Sequence, residues 1–289
     1  MSLALIRVPY DSGQRERRLG AGPDALVRAG AADALGAGGL DVVPARIETD
    51  MPFPTETTTA FELAGKLAGE VARARRSGAT PVVLAGNCLA ALGVVAGLGE
   101  VPRLGVLWLD AHGDLNTPET SPTGYLDGMA LAVATGRCWT GPTRRIPGFA
   151  PVPHGQVGNL GARDLDPDER PLLEQGPISH LAGTAWAGPG GDASAAEVVD
   201  ALACRVDALH LHLDLDVLDP AQACGGPYAV PGGPSPAQVR RVIEHAGETA
   251  PLAGISLAGY APDWDRTGAG VQAALAALTA VGRAVAARR

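Results

Sequence analysis

Leu104-Gly105-Val106-Leu107-Trp108-Leu109 runs without a break into Asp110-Ala111-His112-Gly113-Asp114. Six residues with no charge and no alternation of polar positions describe a strand buried on both faces. The abrupt change to Asp, His and Gly marks where that strand ends and a loop begins. A related pattern recurs about a hundred residues on, with two histidines set between leucines. There Leu209 to Leu213 leads into Asp214-Leu215-Asp216. Four carboxylates and one imidazole therefore sit at the ends of two buried strands. Crowding carboxylates in this way is costly unless a cation compensates them.

Working outward, apolar runs alternate with Ala-rich stretches of helical spacing along the whole chain. Strands are predicted over 3–8, 40–43, 81–84, 105–109, 157–160, 208–213 and 254–257. Helices are predicted over 23–35, 56–76, 89–98, 194–202, 235–246 and 271–287, with another starting within 166–174. Gly36 to Gly39 stops the first, and Ser235-Pro236 supplies an N-cap and first-turn proline to the helix over 235–246. The segments 116–125 and 187–193 read as loops. Regular strand–helix alternation predicts an α/β fold: one three-layer domain, 1–289, built on a mostly parallel, doubly wound sheet. No internal repeat or dividing linker interrupts it.

Composition narrows the function. A net charge of −8, with no basic run longer than an arginine pair such as the terminal Arg288-Arg289, makes nucleic acid and anionic membranes poor partners. No apolar span of ~18 residues and no signal-like N-terminus is apparent, so a cytoplasmic protein is expected. The spacing of Cys88, Cys138, Cys204 and Cys224 fits neither a zinc knuckle nor a disulfide framework, which predicts reduced thiols.

In open α/β sheets ligands bind beyond the carboxyl ends of the strands. If the segments after the two strands stay extended, alternation puts Asp110, His112 and Asp114 on one side, and Asp214 with Asp216 likewise. Carboxylates with one imidazole suit Mn²⁺ better than a thiolate-seeking metal. Bridging carboxylates would hold two ions about 3.5–4 Å apart and acidify a shared water, which is hydrolase chemistry. His210 and His212 alternate with leucines inside the second strand, and a hydrogen-bonded structural role is expected for both.

These stretches resemble signatures of the arginase (ureohydrolase) family, and the resemblance covers nearly the whole chain. Asp110 to Thr117 resembles its DAHxDxNT, Leu213 to Pro220 its SFDxDxxDP, Val230-Pro231-Gly232-Gly233 its PxPGG turn, and Gly20 to Pro23 a segment near its N-terminus. The resemblance implies a binuclear Mn²⁺ site and hydrolysis of a guanidino C–N bond, in an enzyme that is a trimer or hexamer. It implies that Asp110 and Asp214 bridge the metals, that His112 and Asp216 complete one site, and that Asp114 serves the other. Cys88, in Ala85-Gly86-Asn87-Cys88-Leu89, stands where the family's GGDHS has a metal-binding His, so the ion beside it is expected to be weakly held or absent.

Two further departures fall at the nitrogen end of the substrate. Asp127 stands where arginases have a proton-shuttling His, and is the implied catalytic acid. Gly259 stands where they have a Glu that grips the guanidinium. The amino-acid end is kept: Asn116, Ser121 and Thr123 match positions that hold the α-carboxylate, and Asp166 and Glu169 positions that hold the α-amino group. An amino-acid head with an altered tail fits N-omega-hydroxy-L-arginine, the substrate of a family branch in D-cycloserine antibiotic biosynthesis. Arginine itself, agmatine and formiminoglutamate are the alternative substrates. A catalytically silent paralogue is the rival from another class, favoured by Cys88, Asp127 and Gly259 and opposed by the intact aspartates.

Overall fold

Strands buried on both faces must lie between two helical layers, and this chain builds that arrangement. The computed structural model describes residues 2–50 and 52–288. Met1, Met51 and Arg289, the last being half of the terminal basic pair, lie outside them. Eight strands form one sheet: β1 Ser2–Val8, β2 Asp41–Arg46, β3 Ala79–Ala85, β4 Leu104–Leu109, β5 Val157–Gly161, β6 Ser179–Ala182, β7 Ala208–Asp214 and β8 Leu252–Ala258. Their order is β2-β1-β3-β8-β7-β4-β5-β6. Every pairing in it is parallel.

Alternate residues of each strand feed two separate cores. In β4, Val106 and Trp108 join one, while Leu107 and Leu109 join the other. The first core lies under α3 (Glu56–Arg76) and α4 (Ala91–Gly97). The second lies under α1 (Gly22–Arg28), α2 (Ala31–Gly36), α5 (Gly191–Ala203), α6 (Pro236–Thr249) and α7 (Ala269–Ala286). The N-terminus of α6 is a full capping box: Ser235 accepts from the Gln238 amide and Gln238 accepts from that of Ser235.

Several expectations need correction. The helix predicted over 23–35 is two, because Gly30 takes a left-handed φ of 106° between α1 and α2. The β6 edge strand and a two-stranded ribbon, Tyr10–Asp11 with Gln14–Arg15, were not predicted. α5 begins inside the segment read as a loop. An apolar span of the excluded length does exist: α7 is long and apolar enough by composition to cross a membrane, but it packs against α2 and α6 and more than half of it is buried. Asp114 has a φ of 53°, and Leu215–Val217 is a turn of 3-10 helix. The carboxylates are therefore gathered by turns, not by alternation along extended chain.

Candidate metal centre

Four neighbouring strands, β3, β8, β7 and β4, end at one place. β4 delivers Asp110, His112 and Asp114, β7 delivers Asp214 and Asp216, the turn after β3 delivers Cys88, and Gly259 follows β8. All of them line one cavity of about 270 Å³, which is also lined by Asn116, Ser121, Thr123, Asp127, Asp166 and Glu169. Every ligand, substrate-binding and catalytic position expected from the sequence is thus brought to the same cavity, while His210 and His212 do not line it. Sequence reasoning missed part of its wall: Leu19, Tyr125, Gly226 and Tyr228 also face it. Tyr125 lies in the loop after β4 between residues that were named, whereas only the three-dimensional approach of the segment after β1 and the loop after β7 could show Leu19, Gly226 and Tyr228.

The local turns explain themselves. The Asp110 carboxylate accepts from the His112 amide at 2.8 Å, and Asp214 accepts from the Asp216 amide at 2.8 Å. Each strand-end aspartate so caps its own turn, as Asx side chains do. Asp216 in turn accepts from the Ala111 amide at 3.1 Å and stitches the two loops together. His112 Nδ1 lies 3.1 Å from Asp216 and 3.4 Å from Asp110. Cys88 Sγ lies 2.9 Å from Asp214 Oδ2 and 3.8 Å from Asp110 Oδ2.

The electrostatics are those of a site built for cations. Burial first, then the Asp110 and Asp127 charges, pushes the Asp114 carboxyl well above its ordinary range. Burial and the Asp216 charge push Asp214 up to about 7. Asp110 and Asp216 are raised chiefly by burial, and Cys88 is raised by burial and by Asp214. Burial opposes the charged form of His112, but the Asp216 charge and the Asp110 hydrogen bond outweigh it and raise the pKa. Asp114 Oδ2 is buried with no hydrogen-bond partner. A buried, unpaired carboxylate oxygen among other carboxylates fits a divalent cation. Among the described residues two donor groups come close enough to share an ion: Asp110 with His112 and Asp216, and Cys88 with Asp110 and His212.

The remaining positions are tied to backbone. Asp127 accepts from the Leu89 amide at 2.8 Å and from Asn87 Nδ2 at 2.9 Å, fixing it to the Cys88 turn. Burial, opposed by that amide, pushes its carboxyl up to about 7. Glu169 is buried and accepts from the Leu115 and Asp166 amides at 2.8 and 3.0 Å. Asn116 Nδ2 donates to Asp166 at 2.7 Å. Ser121 Oγ and Thr123 Oγ1 accept from the Gly124 and Tyr125 amides at 3.0 and 3.2 Å. His210 and His212 are fully buried and both bond Ser256 Oγ, as a structural role requires, yet each keeps one nitrogen without a partner.

An all-parallel α/β sheet with a polycarboxylate, imidazole-bearing pocket at its carboxyl edge defines a metal-site protein of the hydrolase kind. Comparison with known proteins is specific. The family model "Arginase family" matches residues 1–285. An arginase of Brevibacillus brevis is 33% identical over 291 residues, covering 97% of each chain. An N(omega)-hydroxy-L-arginine amidinohydrolase of Streptomyces lavendulae is 39% identical over 156 residues, covering 54% of this chain and 50% of the other. The crystal structure of Bacillus cereus arginase superposes with a TM-score of 0.88 at 30% identity, covering 97% of this chain and 98% of that one. The chain belongs to the arginase family, whose members are hydrolases of C–N bonds in amidines.

Proposed function

We propose that the chain is a manganese-dependent hydrolase of the guanidino C–N bond of an arginine-like amino acid, with N-omega-hydroxy-L-arginine preferred and L-ornithine and hydroxyurea released. Gly259 is the observation that carries the substrate choice. A Cβ built there would lie 2.0 Å from Asp214 Oδ1, and its φ is 77°. A side chain there would have to displace Asp214 and hold a strained backbone, and with glycine in place no carboxylate extends from this wall to pair with a guanidinium. A charge-assisted hydrogen bond of that kind is worth roughly 1.5–3 kcal/mol. A hydroxylated guanidino group is less basic and loses less without it. The matched half of the S. lavendulae relative supports the same choice.

In this reading Cys88, Asp110, Asp114 and Asp214 hold one ion, and Asp110, His112, Asp214 and Asp216 the other. Bound divalent ions would lower the pKa of a water and polarise the guanidino carbon. The chain's own residues do the rest. Ser121 and Thr123 accept from backbone amides, so their hydroxyl protons remain free to donate to the substrate carboxylate, beside Asn116. Asp166 and Glu169 offer lone pairs to the α-ammonium. Asp127, with its carboxyl near neutrality, is matched to deliver a proton to the departing ornithine nitrogen. Assembly as a trimer or hexamer, a cytoplasmic place and a part in antibiotic biosynthesis follow the same reading and are proposed with it.

The test is a substrate panel after Mn²⁺ loading, with urea and hydroxyurea measured. Expected is a kcat/KM for N-omega-hydroxy-L-arginine at least about tenfold that for L-arginine, ~1.4 kcal/mol of transition-state preference. Agmatine, lacking the carboxylate, should be nearly inert. Equal rates on arginine and its hydroxylated form, or faster turnover of agmatine, would sink the reading.

A further inference from the structure

We propose that His212 is itself a metal ligand, joining Cys88 and Asp110 on the ion at that end of the cavity. The inference rests on the metal reading above but adds a residue to its ligand set, drawn from the interior of a strand. Cys88 Sγ, an Asp110 carboxylate oxygen and a ring nitrogen of His212 all lie within 4.8 Å of one another. Bonds of about 2.0–2.3 Å put two donors on one ion at most about 4.6 Å apart, so the three need little rearrangement to share one.

The ring is prepared for that role. His212 Nδ1 is engaged by Ser256 Oγ at 2.7 Å, and Nε2 is buried with no partner. A ligating imidazole is characteristically held by a hydrogen bond at its other nitrogen, which fixes tautomer and ring direction. If Nδ1–H donates to Ser256, the lone pair of Nε2 is left for a cation. Trp108 stacks on the ring with centroids 3.8 Å apart, and its Nε1 donates to Asp110 at 3.2 Å. One side chain thus positions two of the three donors. His210 shares the Ser256 contact and also keeps an orphan nitrogen, but it joins no donor group. Burial alone therefore does not account for the placement of His212. A sulfur, a nitrogen and an oxygen make a softer set than carboxylates, so this end should prefer Co²⁺ or Zn²⁺ to Mn²⁺.

The experiment loads the full chain with Mn²⁺ or Co²⁺, measures metal per chain, and counts coordinated imidazoles by electron spin-echo spectroscopy. The parent should show two, one from His112 and one from His212. His212→Asn should retain one and lose about one ion per chain, with the metal-free melting temperature reported beside it. Ser256→Ala leaves the imidazole in place but frees it to turn, and should weaken metal affinity about 10–100-fold. A single imidazole in the parent overturns the proposal even if His212→Asn fails to fold. So does His212→Asn with unchanged stoichiometry and spectrum, which would leave the hydrolase reading intact. A parent with two imidazoles but no guanidino turnover supports His212 and defeats the substrate reading instead. A parent that takes up no metal defeats both.

Discussion

Asp214 carries three loads at once. It caps the turn after β7, contacts Cys88 and presses against Gly259. Removing its charge should thus cost function while relieving repulsion in the metal-free protein. Asp110→Asn and Asp214→Asn are each expected to abolish turnover and metal uptake while the metal-free melting temperature holds or rises. Retained turnover in either would remove the metal assignment. Gly259 tests the same contact from the other side. Gly259→Ala adds a carbon 2.0 Å from Asp214 Oδ1, and a left-handed backbone costs an alanine about 1–2 kcal/mol. Lower stability and reduced metal content are expected together. An alanine variant with parental stability and metal binding would show that the loop yields freely, and that a longer carboxylate could have been accommodated.

At the scale of elements, β1, β2 and α1 are pinned by one polar cluster that the strand–helix pattern did not announce. Asp24 of α1 accepts from Arg7 of β1 at 2.7 Å and from Arg46 of β2 at 2.6 Å. Burial pushes the Asp24 carboxyl up, but the Arg46 and Arg7 hydrogen bonds and charges outweigh it and leave its pKa below the ordinary value. A lowered carboxylate pKa adds stability above the unfolded value of about 3.9, and that stability fades as pH falls through the folded value. All three side chains are partly exposed, so Asp24→Asn should lose roughly 1–2 kcal/mol near neutrality. Urea midpoints taken downward in pH should then converge on the parent; a gap independent of pH would mean that the charge is not what matters. The legible elements were those whose side chains have one duty, such as β4, uniformly apolar because both faces are covered. β6 was not legible because Ser179-His180-Leu181-Ala182 lies at the sheet edge, half-buried, with neither a continuous apolar run nor clean alternation. The α1–α2 break was hidden because a glycine inside a helical pattern signals either tolerance or a turn, and only its left-handed φ decides.

For the molecule as a whole, the residues crowding the centre were legible because strand ends announce themselves, and part of the cavity wall was not because Leu19 and Tyr228 arrive on segments from distant parts of the chain. Crowding also predicts how the entire fold responds to metal and pH. Without metal, Asp214 and Asp127 titrate near 7 in the folded state and Asp110, Asp114 and Asp216 are raised as well. The unfolded chain releases those protons near 3.9, so between about pH 4 and 7 the folded state binds more protons than the unfolded one. Stability must therefore fall as pH rises through that window. A cation takes the place of the protons and offsets the penalty, stabilising the fold by about 2.7 kcal/mol in all when present at a hundred times its dissociation constant. Melting curves of chelator-treated and Mn²⁺-loaded protein should accordingly lie close together near pH 5 and separate progressively toward pH 8. The metal-free curve should move down while the loaded one stays nearly level. A separation that is the same at both ends of the range would mean that the carboxylates are already neutralised by something within the chain, and the case for a cation at their centre would fail.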